Sequence, residues 1–298
     1  MTHTVIPPAL AHWKTSSGWH WHKCHKIFVR EGGEGPTLLL LHSFATASWS
    51  WHKLWSALSR HFRLIAVDFI GFGLSDKPWP YRYSLMDQAD LIELLLRKKR
   101  VTAYSIMAHG YGASVAQELM ARTQWRRAQG VHTPDLQSVT LLNGGIVPEL
   151  HQAPFVLRLM ASPLGKRCLP LWAKGRFRRN FAQIFGANHR PSEEEIDVFW
   201  VLLTHNKGLF RLPYLSNYLR ERMQQRQRWL AVLQHPPAPL LHINGIADPI
   251  SGAPISQWMQ RHSAAQVIAL EGVGHYPHLE APEQLVSQFI HWLNQRVL

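Results

Sequence analysis

Ala108, His109, Gly110, Tyr111 and Gly112 form the frame of a turn that swings a chain sharply from strand to helix and holds one side chain up to a substrate. Such a nucleophile elbow needs small residues on both sides of its centre, which Ala108 and Gly112 supply, and a Ser, Asp or Cys at the centre to attack an electrophile. The centre here is Gly110, which tolerates strained backbone but carries no atom able to attack. The flanks fit the frame. Ala103 to Ala108 is a short apolar run of strand type, and the following stretch places Val115, Leu119 and Met120 at helical spacing. Taken alone, the five residues read equally well as a plain glycine turn without chemistry.

Catalytic groups in open parallel sheets collect at the carboxyl ends of strands, so the residues just past each apolar run decide between these readings. After Thr37 to Leu41 come His42, Ser43 and Phe44, a loop whose backbone N–H can donate to a developing oxyanion; the N–H of Tyr111 is the second donor. After Leu240 to Ile243 comes Asp248, suited to hold an imidazole in one tautomer, although an Asp before Pro249 is also an ordinary turn. His275 stands after Gly274 on a loop that can reach both the elbow and Asp248. These groups would face an empty notch at Gly110. Asp68, Gly71 and Gly73 read as turn-forming residues. Ser114 lies a helical turn past the elbow and should point into helix packing.

The elements that must carry these residues alternate. Strands are expected at Lys26 to Arg30, Thr37 to His42, Phe62 to Phe69, Ala103 to Ala108, Ser138 to Asn143, Leu240 to Gly245 and Gln266 to Leu270. Between them the spacing predicts helices around Ser48 to Arg60, Ser84 to Lys99, Ala113 to Arg126, Pro254 to Arg261 and Pro282 to Arg296. Near-continuous apolar runs mark strands covered on both faces, hence an α/β class with a mostly parallel, doubly wound sheet. The alternation stops after Asn143 and resumes at Leu240. The stretch between reads as helical, divided by Pro148, Pro154, Pro163, Pro170, Pro191 and Pro213. Residues 1–145 and 237–298 are therefore expected to form the core domain, and 146–236 an inserted helical cap. Near the amino terminus a hairpin is expected to turn at Ser16, Ser17 and Gly18.

Composition narrows the classes. The 298 residues suffice for a full core, and no apolar run is long enough to span a bilayer. The amino-terminal stretch has no basic segment leading into an apolar one, and Cys24 and Cys168 lie far apart, so a soluble cytoplasmic protein without disulfide, metal or cofactor is expected. The net charge is +13. Residues 146–235 hold fourteen Lys or Arg against six Asp or Glu, among them Lys166, Arg167, Arg178, Arg222, Arg226 and Arg228. Such a stripe is most often a solvated face; peripheral membrane contact or steering of an anionic molecule are its other uses. Without a helix-turn-helix, zinc-finger or RNA-recognition motif, specific nucleic-acid binding is not expected. The partner implied is a small molecule, apolar or anionic.

The stretches LLLLHSFATASWSWHKLW, LIAVDFIGFGLSDKPWPYRYS, MAHGYGASVAQELMAR, RPSEEEIDVFW and GVGHYPHLEAPE resemble the α/β-hydrolase fold, in the branch of haloalkane dehalogenases and epoxide hydrolases, and most of all the mesoderm-specific transcript (MEST) family. The resemblance implies a nucleophile at the position of Gly110, a covalent ester intermediate, and its hydrolysis by water activated by His275 with Asp248 as partner. Ser43, Phe44 and Tyr111 would form the oxyanion site. The chain departs from the pattern where His-Gly-Phe reads His42-Ser43-Phe44, at Gly110, and at Tyr111 in place of the halide-holding Trp. The resemblance thus implies a hydrolase of an epoxide- or ester-like small molecule. Either Gly110 disables a normal nucleophile, or His275 activates a water in its place. The alternative is a ligand-binding protein that keeps the pocket without the chemistry.

Overall fold

Leu38, Leu39, Leu40 and Leu41 are completely buried because β3 (Thr37–Leu41) runs through the middle of the sheet, covered on both faces. The computed structural model describes residues 6–162, 165 and 173–296. Seven further strands complete the sheet: β1 (Ser17–His22), β2 (His25–Gly32), β4 (Arg63–Val67), β5 (Ala103–Ala108), β6 (Asp135–Leu141), β7 (Leu240–Gly245) and β8 (Gln266–Leu270). They lie in the order β1-β2-β4-β3-β5-β6-β7-β8. The β1–β2 and β2–β4 pairs are antiparallel, and every other pair is parallel. Crossovers between parallel strands use helices α2 (His52–Leu58), α3 (Leu85–Lys98) and α4 (Tyr111–Ala128), with α1 (Pro8–Lys14) ahead of the sheet.

Register places the candidate residues. Leu41 pairs with Ala108 and Ala108 with Leu141, so β3, β5 and β6 end level and their next residues, His42, His109 and Leu142, emerge together. This is where a parallel sheet opens to a ligand. Between β6 and β7 the chain is helical: α5 (Phe155–Ala161), α6 (Lys174–Ala182), α7 (Glu193–Thr204), α8 (Leu212–Leu215), α9 (Tyr218–Gln224) and α10 (Arg226–Gln234). The carboxyl-terminal part adds α11 (Ala253–His262), α12 (Pro277–Glu280) and α13 (Pro282–Asn294). Helix α7 starts with a capping box in which Ser192 and Glu195 satisfy each other's backbone N–H groups. Pro163, Pro170, Lys166, Arg167 and Cys168 lie outside the described residues. No helix among the described residues is long and apolar enough to cross a membrane.

The hairpin expectation needs correction. Ser17 and Gly18 open β1, and the reversal falls at Lys23 and Cys24, both at positive φ (45° and 65°). Helix α1 claims the residues before Ser16 because Leu10 and Trp13 bury against the core, and that packing overrides the local turn signal. The hairpin is tied down at Asp87, which accepts from His22 Nε2 (3.0 Å), Lys23 Nζ (2.6 Å) and Tyr81 Oη (2.5 Å). Burial pushes the Asp87 carboxyl up, but the His22, Lys23 and Tyr81 hydrogen bonds outweigh it and lower the pKa from 3.8 to about 2. A depressed carboxyl adds stability that is complete above its unfolded pKa and is lost as pH falls through the folded one. Acid titration between about pH 4 and pH 2 should therefore cost the wild type about 2 kcal/mol that Asp87→Asn does not lose, read from urea unfolding at each pH.

Candidate active site

The first residue of α4 is Tyr111, and the preceding Gly110 has φ 58° and ψ −107°, backbone that a side chain reaches only under strain. Neighbouring strand ends hold it there. Gly110 N–H donates to Asn143 O (2.8 Å), His109 N–H to Leu41 O (2.9 Å) and Gly112 N–H to His42 O (3.0 Å). The packing explains the small flanks: a Cβ at Gly112 would overlap the Leu41 carbonyl, and one at Gly144 would sit 2.9 Å from Gly110 Cα. The notch itself is not empty, contrary to the expectation from sequence. A Cβ built on Gly110 would overlap Ser43 Oγ and stand 2.7 Å from Ser43 Cβ, so the Ser43 hydroxymethyl group occupies the missing side chain's place.

His275 and Asp248 come together beside this turn. His275 Nδ1 donates to Asp248 Oδ2 at 2.7 Å, and an acceptor-only carboxylate fixes that tautomer, leaving Nε2 as the basic nitrogen. Asp248 is buried and also accepts from Ser251 Oγ (2.6 Å), Asn143 Nδ2 (2.9 Å) and Ile250 N–H (2.8 Å). Burial alone would raise its pKa; the His275 charge and these hydrogen bonds hold it below the ordinary aspartate value. Ser114 donates nothing to the elbow and instead accepts from Arg222 Nε at 2.8 Å.

Glu280 escaped the sequence reading. Its two oxygens accept from Gly274 N–H (2.7 Å), Tyr276 N–H (2.9 Å) and Gly186 N–H (2.8 Å), clamping the loop on both sides of His275 to the inserted helical segment. His275 N–H itself donates to Ile184 O (2.8 Å), and His109 Nε2 meets His275 O at 2.8 Å. Burial and the nearby His278 and His275 keep His109 far below its ordinary pKa, hence neutral. If His275 does chemistry, Glu280→Ala should lower kcat on the order of a hundredfold with little change in KM, because a displacement near 1 Å is enough for that loss. Glu280→Gln, which keeps an acceptor oxygen, should recover part of it. An unchanged kcat in a folded Glu280→Ala protein would remove the positioning role.

The oxyanion candidates are available. Tyr111 N–H opens a helix and has no acceptor within it, and Phe44 N–H has no partner among the described residues. Ser43 O is held by Thr46 Oγ1 (2.9 Å) and His42 Nδ1 (2.8 Å), while Phe69 N–H donates to His42 Nε2 (3.1 Å). Burial pushes His42 down to about 3, so it stays neutral and keeps this two-sided brace.

Arg222 overturns part of the solvated-stripe expectation. It is buried, donates from Nη2 to Gly110 O (2.8 Å), and lies 4.6 Å over the Tyr218 ring. The spacing of Tyr218 and Arg222, one helical turn apart on α9, was the available signal. Other members behave as surface charges: Arg178 pairs with Glu193 and Arg226 with Glu149, both pairs half-exposed.

Ser43, Gly110, Tyr111 and His275 border one cavity of about 310 Å³. Its outer wall is apolar, with Leu157, Met160, Phe177 and Phe181 contributed by the inserted helices. No Asp or Glu lines it among the described residues, and Arg222 is the one permanently charged group on its wall. The described residues contain no group of three or more His, Cys, Asp or Glu side chains that could hold a metal ion.

A parallel sheet with an elbow after its fifth strand, an acid after the seventh and a histidine after the eighth defines a class, and the chain belongs to it: residues 38–288 match the Alpha/beta hydrolase family. Among its relatives, LipZ of Mycobacterium tuberculosis is 36% identical over 282 residues, covering 94% of this chain and 96% of LipZ. The human mesoderm-specific transcript homolog protein is 33% identical over 307 residues, covering 97% of this chain and 89% of that protein. The haloalkane dehalogenase DbeA from Bradyrhizobium elkani has the same fold, with a TM-score of 0.78 at 21% identity over 94% of this chain and 98% of its own.

Proposed function

We propose that this α/β-hydrolase cleaves an ester-type bond in a small, largely apolar, uncharged or anionic molecule, with His275 as general base and Asp248 as its orienting partner. The carrying observation is the 2.7 Å His275–Asp248 pair, whose histidine lines the same cavity as Gly110. Two backbone N–H groups without partners among the described residues, at Tyr111 and Phe44, suit the oxyanion of a tetrahedral intermediate, which favours an acyl substrate over an epoxide. Arg222 and the lack of lining carboxylates among the described residues disfavour cationic substrates. In this reading residues 146–236 act as the cap that closes the apolar side of the cavity.

The test is turnover of a panel of p-nitrophenyl esters of increasing acyl length, a cationic choline-type ester and an aryl epoxide. Short neutral esters should turn over fastest. Absence of turnover for every ester, with apolar acids still bound, would leave a ligand-binding protein instead.

A further inference from the structure

We infer that Ser43 is the nucleophile of this site, its hydroxyl standing where the elbow would otherwise present one. The inference rests on the hydrolytic reading above and extends it to the attacking atom. Only one side chain fits between positions 43 and 110: a Cβ on Gly110 would overlap Ser43 Oγ and lie 2.7 Å from Ser43 Cβ. That side chain comes from the loop after β3 rather than from the elbow.

The surroundings suit attack from this position. Ser43 lines the cavity together with His275, Tyr111 and Phe44, so the residues that carry the attacking oxygen, the base and the two oxyanion donors border the same space. Its backbone is braced through the carbonyl by Thr46 and by His42, which Phe69 N–H holds from the other side. The hydroxyl makes no side-chain or backbone hydrogen bond among the described residues, and it is not sealed in the interior. Ser43 Oγ and His275 Nε2 are not hydrogen-bonded to each other in the free protein; bonds of this kind commonly tighten only when substrate binds.

The chemistry balances without any further reagent. Ser43 Oγ bonds to the ester carbonyl carbon as its proton passes to His275 Nε2, and the carbonyl oxygen becomes an oxyanion facing the Tyr111 and Phe44 N–H groups. Collapse breaks the bond to the alkoxy oxygen, which leaves as alcohol with the proton from Nε2. Water then attacks the Ser43 ester, giving its proton to Nε2. Ser43 Oγ departs with that proton, and the acid is released.

A fluorophosphonate probe followed by intact-mass and peptide mapping tests this directly. One adduct on the peptide containing Ser43 is expected, absent in Ser43→Ala and formed at least about tenfold more slowly in His275→Ala. Ester turnover by Ser43→Ala should fall at least about a hundredfold, with thermal unfolding reporting whether the variant is folded. Ser43→Cys, which keeps an attacking atom, should be alkylated by iodoacetamide faster than Cys24. Undiminished turnover in Ser43→Ala together with loss in His275→Ala would overturn the inference and leave a water attack driven by His275. An adduct elsewhere would overturn it as well. No adduct and no ester turnover in the wild type would defeat the hydrolytic reading too.

Discussion

Gly110→Asp alone should destabilise the protein and give no gain in turnover, while the pair Ser43→Gly with Gly110→Asp should recover most of the lost stability. The single change puts a side chain on backbone at φ 58° and into space held by Ser43 Oγ. Strain and overpacking of this kind cost about 1–3 kcal/mol each. Removing the Ser43 side chain relieves the second cost and leaves the first. The two substitutions should therefore be strongly non-additive, by an amount on the order of 1–3 kcal/mol. Chemical unfolding of the wild type, both singles and the double measures this cycle. In the double, the nucleophile stands on the elbow again, and turnover of esters or epoxides should exceed that of either single variant. Additive energies would mean that Ser43 moves aside freely and that the two positions do not compete.

His275→Ala should lower kcat for the best ester by about 100- to 10,000-fold with a small effect on KM, the range that a general base contributes. Asp248→Asn should lose a comparable factor, because an amide can donate to Nδ1 and so favour the wrong tautomer. It also disturbs the contacts with Ser251, Ile250 and Asn143, so its thermal unfolding must be followed in parallel. The direction of the Asp248 shift sets an acid limit. Its carboxyl lies below the ordinary aspartate value, so its support of the site persists below that pH and is lost as pH falls through the depressed folded pKa. Retention of wild-type kcat in folded His275→Ala would end the general-base role.

Candidate residues were legible wherever chemistry and backbone constraint leave a local trace. The frame around Gly110 shows because the turn excludes side chains at its flanks: Gly112 abuts the Leu41 carbonyl. Asp248 and His275 show by their order after successive strands, and they meet at 2.7 Å. Glu280 left no such trace, since it lies five positions past His275 and the groups it accepts from are backbone N–H donors that only the folded loop brings together. Arg222 looked like a surface cation because its acceptor, Gly110 O, lies 112 residues away.

By itself the sequence determined the architecture, through apolar runs that demand burial on both faces and through the periodic helices between them. It also determined that position 110 carries no reactive atom. The tertiary structure alone decided what fills that position, because two loops 67 residues apart compete for one volume and the Ser43 side chain occupies it. Short-range pattern records the conformation of a segment, whereas shared space between distant segments appears only once both are packed.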